Sequence, residues 1–333
     1  MAGETLYTNG GISPRTTVYA EREMLRHSMP EIVLEKLALA KAMPKNKGQL
    51  IKFRRPIPFT AADTPLVEGV APTATQFNYE DVPATLKQYG QVVKITDVIQ
   101  DTHEDPVLND AAMVCGENIG RTQEKLNYGV VKAGTSVFYA NGAARASVNT
   151  TITLAKQRAV TRYLKAQKAK KITRILAPSM NYATKAVEAA YVAVAHTDVE
   201  SDIRAMPGFL PVAEYGQRSP ISEHEIGSVE DVRYILSSDL DEFQDAGGAK
   251  GAMVSTSGTS ADVYPVLYFG QDAWATVALR GQGAISPTII PVGTRDKSDP
   301  LGQVGFVGWK MWHVSVILNQ TWMARLEVSV TAL

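Results

Sequence analysis

His224-Glu225 opens the one stretch that starts like a catalytic motif. A zinc-protease helix carries His-Glu-x-x-His because two imidazoles one turn apart share the metal while the glutamate activates a water. Here Ser228 stands where the second histidine must be, so His224 reads as a surface histidine. His27, His103, His196 and His313 show no ligand spacing among themselves. With Cys115 as the single thiol, neither zinc nor an intramolecular disulfide is expected. Gly281-Gln282-Gly283 lacks the third glycine of a dinucleotide fingerprint, and no Gly-Lys-Ser/Thr triplet offers a phosphate loop. Gly247-Gly248 and Ser255 to Ser260 do not spell Gly-x-Ser-x-Gly and read as a flexible surface loop. The sequence therefore contains no candidate catalytic, cofactor-binding or metal-binding residue, and no enzyme is expected.

Charge is the other source of chemistry. The chain has 333 residues, with 34 basic and 34 acidic side chains. Zero net charge argues against a generic nucleic-acid coat and against a monomer kept apart by charge. Locally the balance fails. Between Glu124 and Glu188 there is no acid, while twelve Lys or Arg occur. The dense part is 156–174, with Arg158, Arg162, Lys165, Lys168, Lys170, Lys171 and Arg174. From Glu188 to Asp245 thirteen acids face three arginines. Blocks of opposite sign suit head-to-tail contacts between copies. The basic block suits a phosphate backbone instead, without base stacking, since only Tyr163 is interleaved with it.

The elements that must carry these charges follow from periodicity and breakers. Ile51 and Phe53 alternate with Lys52 and Arg54, as in a half-exposed strand. Pro56, Pro58, Pro65, Pro72 and Pro83 then interrupt the chain, and a strand resumes over Thr85 to Thr96, with Tyr89, Val93 and Ile95 on one face. This reads as an extended hairpin with a stiff excursion. Such a projection cannot bury its own Leu66, Val67 and Phe77, whereas a neighbouring molecule can. Glu68 and Gly69 near its tip are candidate interface positions, and Arg54 and Arg55 at its base are candidates for pairing with a neighbour's acids. Asp105 and Pro106 can start a helix whose stripe is Leu108, Ala112, Cys115, Ile119, Thr122, Leu126 and Val130. Cys115 falls on that stripe as a buried thiol.

Pro30 can open another helix, with Ile32, Val33, Leu37 and Leu39 as its apolar face. Further on, Val137 to Gly142 reads as a strand entering an Asn-Gly hairpin turn. Leu154 to Lys168 reads as helix, Ile172 to Ala177 as strand, and Tyr182 to Ala195 as a helix capped by Asn181. Strands are expected at Ile226 to Leu236, Tyr264 to Phe269 and Trp274 to Leu279. The segment Gly302 to Val330 is strand-rich and holds Trp309, Trp312 and Trp322, most simply as core. The mixed order is α+β. Met1 to Pro14 is polar, and no apolar run approaches the ~20 residues of a membrane span. Synthesis and folding in cytoplasm are expected.

Several of these stretches resemble a known family. They are Thr64-Pro65-Leu66-Val67-Glu68-Gly69-Val70-Ala71-Pro72-Thr73, Leu86-Lys87-Gln88-Tyr89-Gly90, Thr96-Asp97-Val98-Ile99-Gln100-Asp101 and Asp105-Pro106-Val107-Leu108. Tyr264 to Gly270, Asp299-Pro300-Leu301-Gly302, Gly308-Trp309-Lys310, Asn319 and Met323 to Glu327 continue the likeness. Their order and spacing, from about Thr17 to Val330, resemble major capsid proteins of tailed bacteriophages, in particular the podophage-type family.

The resemblance implies the tailed-phage major capsid fold. It implies an N-terminal arm (1–44), an extended loop (45–97) and a peripheral domain (98–150 and 291–333) with a spine helix at 105–133. An axial domain (151–290) would meet its copies around local five- and six-fold axes. The implied function is self-assembly, as pentamers and hexamers, into the icosahedral head enclosing double-stranded DNA. The alternative is another virion protein, such as a tail-tube or head-completion subunit; a cytoplasmic enzyme or a DNA-binding protein fits less well. Implied partners are further copies, a portal, packaged DNA contacted non-specifically, and a decoration protein in some members. Some members carry a large cleaved scaffolding domain, but only about forty residues precede the loop here, which implies a separate scaffolding protein. Others cross-link through a loop lysine. No lysine occurs between Pro56 and Leu86, so no such bond is expected. The implied location is the virion, assembled in the host cytoplasm with no membrane contact.

Overall fold

The computed structural model describes residues 32–66, 68–102, 107–176, 184–216, 218–279, 285–295 and 299–333. Several sequence expectations lie outside these residues: the helical stretch Tyr19 to Arg26, Pro30, Val67, His27, His103, the Asp105-Pro106 helix start, Asn181, and Gly281 to Gly283.

Among the described residues the strands form three sheets. The largest has eight strands. Its backbone order is β5 (Val137–Tyr139), β15 (Met323–Val328), β11 (Tyr264–Phe269), β7 (Thr184–His196), β10 (Val232–Ser237), β9 (Glu225–Val229) and β8 (Phe209–Pro211). β6 (Ile172–Leu176) joins it through β7. The second sheet runs β1 (Leu39–Met43), β12 (Trp274–Leu279), β14 (Val304–Ile317), β13 (Ile285–Ile290), with β4 (Lys87–Thr96) on the far side of β14. The third is the two-stranded β2 (Leu50–Pro56) and β3 (Tyr79–Thr85). Helices α1 (Asp97–Thr102), α2 (Val107–Val131), α3 (Leu154–Ala166) and α4 (Glu200–Arg204) pack around them. The α+β reading holds, and β11 and β12 have the bounds the alternation predicts.

Four local expectations change, each for a physical reason. The Ala-rich run expected as helix at 182–195 is strand β7. Alanine's helix preference is a weak prior that tertiary pairing overrides. β7 lies between β10 and β11, and its alternation serves two cores: Tyr191, Ala193 and Ala195 enter one, Val192 and Val194 the other. A strand buried on both faces has no polar alternation to betray it. The helix expected from Pro30 is a 3₁₀ turn over Leu34–Leu37 followed by β1, which pairs in parallel with β12. The Asn141-Gly142 turn forms no hairpin. Gly142 has φ +70° as expected, but β5 pairs in parallel with β15, and Asn141 clasps its own loop through Asn149, Ser147 and Thr150. Strand β2 pairs with Tyr79–Thr85; β4 leaves the hairpin and runs ten register positions along β14.

Helix α2 has 25 residues and is about 37 Å long. Its first half buries the expected Ala112, Cys115 and Ile119 against Ile95, Val307, Trp309 and Met311 of β4 and β14. In its second half the buried face moves from Leu126 and Val130 to Gln123, Glu124, Asn127, Tyr128 and Val131. Periodicity treats polar residues as outward-facing, so it cannot see this shift. Asn127 Oδ1 sits 2.8 Å from His313 Nε2, and burial lowers the His313 pKa to about 4. Trp274 and Trp309 are core, while Trp312 and Trp322 are half-buried.

Candidate functional site

The β2–β3 hairpin is rooted by alternation. Ile51 and Phe53 pack at a small core made by Met43, Leu86 and Val277. The other face carries Lys52 and Arg54. The register sets Arg54 opposite Asp81 and Arg55 opposite Glu80. Arg54 Nε donates to Asp81 Oδ1 at 2.8 Å, and its terminal nitrogen reaches Oδ2 at 3.2 Å. This bond holds the Asp81 carboxyl below its usual range. Arg55 grips Glu80 through two donors. Both arginines thus have partners inside their own hairpin, a feature the sequence did not reveal because the cross-strand register was unknown.

Beyond Pro56, Ile57 N donates to Asn78 O at 3.0 Å, and the described residues of 58–66 and 68–78 have no regular secondary structure. Phe59 and Phe77 stand 6.0 Å apart, and Phe77 meets Tyr79 edge-on at 4.7 Å. The Arg54 guanidinium covers Tyr79 at 5.4 Å. These rings stay wet. Leu66 is 79% exposed and Phe77 50%, with Ile57, Phe59, Val70 and Tyr79 also exposed. Covering one such side chain is worth roughly 1.5–3 kcal/mol. Gly69, at φ +78°, turns the chain with open space around it, and Glu68 beside it is exposed. Val67 is outside the described residues.

A second apolar surface escaped the sequence reading. Val92, Ile290 and Phe306 face outward on the second sheet, with Thr288, Gly308 and Lys310, around a groove of about 300 Å³. On α2, Met113 and Val114 are exposed on the side opposite the stripe. A helix apolar on both sides is a readable signal of a covered surface, and Met113-Val114 carried it.

Part of the two charge blocks pairs within the chain. Arg158 pairs with Glu230, Lys165 with Asp231 at 2.7 Å, Lys171 with Asp231 at 3.0 Å, and Arg174 with Asp272 at 4.0 Å. Glu188 holds Arg218 and Arg233. The head-to-tail expectation is corrected here: the turn between β9 and β10 brings Glu230 and Asp231 beside α3, so much of the opposition closes within one chain.

The motif fragments resolve into structural parts. Glu225 is buried and accepts from Tyr215 Oη at 2.8 Å and from Ile221 N, while His224 is exposed. The Ser255–Ser260 loop is pinned, not loose: Asp245 accepts from Ser255 and Ser257, and Asp262 from Thr256 and Asp245 N. Burial pushes the Cys115 thiol pKa up. Among the described residues no three His, Cys, Asp or Glu side chains converge as a metal site, and no helix is long and apolar enough to cross a membrane.

A body with a packed core and an exposed apolar hairpin has the form of a subunit. The family model for phage capsid protein matches residues 79–326. The chain belongs to that family. This capsid protein is 23% identical over 134 residues to the major capsid protein of Pseudomonas phage KPP21, a match spanning 38% of this chain and 34% of that one. Its fold is similar to the capsid of Ralstonia phage GP4, with a TM-score of 0.65 at 12% identity over 91% of this chain and 92% of that one. It is also similar to the Cyanophage Pam1 capsid, with a TM-score of 0.59 at 13% identity over 92% of each chain. The tailed-phage capsid fold that the sequence motifs imply is the fold of this chain.

Proposed function

We propose that this capsid protein is the major shell subunit, assembling as pentamers and hexamers into the icosahedral head that encloses the double-stranded DNA of a tailed phage. The observation that carries the reading is the hairpin. It is rooted in a well-packed body, yet Phe59, Leu66 and Phe77 stay largely exposed among the described residues. Many such contacts of about 2 kcal/mol each, repeated around a closed shell, sum by multivalency.

In this reading 1–44 is an arm, 45–97 the extended loop, 98–150 with 291–333 a peripheral domain around the helix at 105–133, and 151–290 an axial domain. Leu66, Val67, Glu68, Gly69 and Phe77 contact the neighbouring subunit. Arg54 and Arg55, neutralised by Asp81 and Glu80, stiffen the hairpin and offer the neighbour a polar rim. A separate scaffolding protein directs assembly in the host cytoplasm, a portal occupies one vertex, and a decoration protein is compatible with the exposed groove.

The test replaces 58–78 by a short turn that keeps β2 paired with β3. Electron microscopy and thermal melting of the purified protein then read assembly and folding separately. The expected result is an unchanged melt with no shells. Normal shells from this variant refute the reading, and tubes or stacked rings from the unaltered chain favour a tail-tube subunit.

A further inference from the structure

We propose that the cationic strip formed by α3 and the turn after it is the surface that meets the phosphate backbone of packaged duplex DNA. This rests on the reading of the chain as a shell subunit, and it names which side of the subunit faces inward.

Thr153 caps α3 through its side chain, and Gln157, Val160, Thr161 and Leu164 bury one face of the helix. Arg158, Arg162 and Lys165 therefore share the opposite side, at i, i+4 and i+7, along about 10 Å of axis. Lys168, in the left-handed region at φ +54°, ends the helix, and Lys170 and Lys171 prolong the line toward β6. Six cations thus lie in a row beside two acids, Glu230 and Asp231. Those acids hold Arg158, Lys165 and Lys171, which fixes the side chains and lowers the ordering cost of binding. Arg162, Lys168 and Lys170 are exposed and have no anion partner among the described residues.

A second copy offers only scattered anions, such as the exposed Glu214 and Glu223. In the acidic block, Glu188, Glu200, Glu230, Asp231 and Asp241 are ion-paired, and Glu225 is buried. Duplex DNA presents about one charge per 1.7 Å of axis without a break. The rings beside the strip are engaged: the half-buried Trp322 donates its indole N–H to Gln167 O at 3.3 Å. Tyr163 packs edge-on against Phe138 at 5.4 Å, and its hydroxyl lies 2.9 Å from Ser136. The strip is therefore built for a backbone and blind to bases.

Two measurements decide it. In the first, unassembled subunits bind a short duplex across a salt series, with wild type compared to the triple variant Arg162→Gln, Lys168→Gln, Lys170→Gln. Each lost phosphate contact flattens the log–log salt slope by about 0.9, so a decrease of about 2.7 is expected. An unchanged slope overturns the proposal. In the second, Lys170→Cys particles are treated with a small maleimide and with a polymer-linked maleimide too large to pass the shell. Buried Cys115 keeps the background low. The expected pattern is no labelling by the large reagent, and labelling by the small one only after DNA is expelled. Labelling by the large reagent places the strip outside, and protection from both in emptied particles places it between copies; either outcome overturns the proposal. If the wild-type chain forms no particles, the shell reading fails, and the salt slope still decides whether the strip binds duplex.

Discussion

Glu124 sits in the middle of α2 with no exposed surface. Its carboxylate accepts from Leu34 N at 3.0 and 3.1 Å and from Val33 N at 3.3 Å, so one helix side chain satisfies the opening of the 3₁₀ turn. Next to it, Gln123 donates to Glu35. Burial raises the Glu124 pKa to about 8, against the lowering effect of the two backbone donors, with Asp239 and Glu35 adding to the rise. Glu35 is raised by burial to about 7. The folded chain thus holds these protons more tightly than the unfolded chain, whose glutamates titrate near 4.3. Stability is fully present below about pH 4.5 and falls as pH rises toward 8, at up to ~1.4 kcal/mol per unit for each group while it titrates.

Replacing Glu124 by Gln removes its share of that slope. The amide keeps one acceptor but turns a donor toward a second donor, a cost of roughly 1–3 kcal/mol near pH 5. Near pH 8 the gap narrows or reverses, because the wild type then carries a buried charge. Urea unfolding of the unassembled subunit at several pH values reads this directly. The expected curves converge with rising pH, and Glu35 leaves a residual slope in the variant. Parallel curves would refute the assignment of a protonated carboxyl to the α2 core.

Three further outcomes follow from other sites. Glu327 is fully buried between Arg145 and Arg325, at 2.8 and 2.9 Å; Glu327→Gln strands two guanidiniums and is expected to cost about 3–5 kcal/mol, read by denaturant melting. Leu66→Asp with Phe77→Asp is expected to leave the subunit's melting temperature unchanged and to abolish shells in sedimentation, since both side chains are exposed in the free chain. Gly142→Ala would place a Cβ 2.4 Å from the Ser147 Cβ at φ +70°, so a loss of about 1–3 kcal/mol is expected in thermal unfolding.

The sequence disclosed what alternation and breakers encode. α3 and the first half of α2 carry a one-sided apolar stripe, β11 and β12 are short apolar runs, and each was read at nearly its observed position. It concealed what depends on partners far along the chain. β7 looked helical because both faces are buried where it meets the cores, and pairing with β6, β10 and β11 makes it a strand. Glu124 looked like solvent-facing charge because its donors lie 90 and 91 residues away. In the candidate site, the exposure of Leu66 and Phe77 was legible from the prolines that keep the loop from folding back. The partners of Arg54 and Arg55 were not, since a hairpin register cannot be counted across so long an excursion. The basic block was visible as composition, while its division into paired and unpaired cations needed the β9–β10 turn in place.

The hairpin shares no ladder with either larger sheet. Its base is closed by the Gln49 carbonyl, which accepts from Leu86 N at 2.9 Å where β3 gives way to β4, and Ile51 and Phe53 pack it on Met43, Leu86 and Val277. On the other strand, Asn46 and Gly48 take positive φ just before β2. Two pieces held by side-chain packing but by no shared ladder can shift against each other at their junction. The blade can swing there without breaking a strand-to-strand bond, so one sequence can offer the same apolar edge at different angles. The rings of five and of six proposed above would ask that of their members, and the compliance would then come from a few residues at the root of the hairpin.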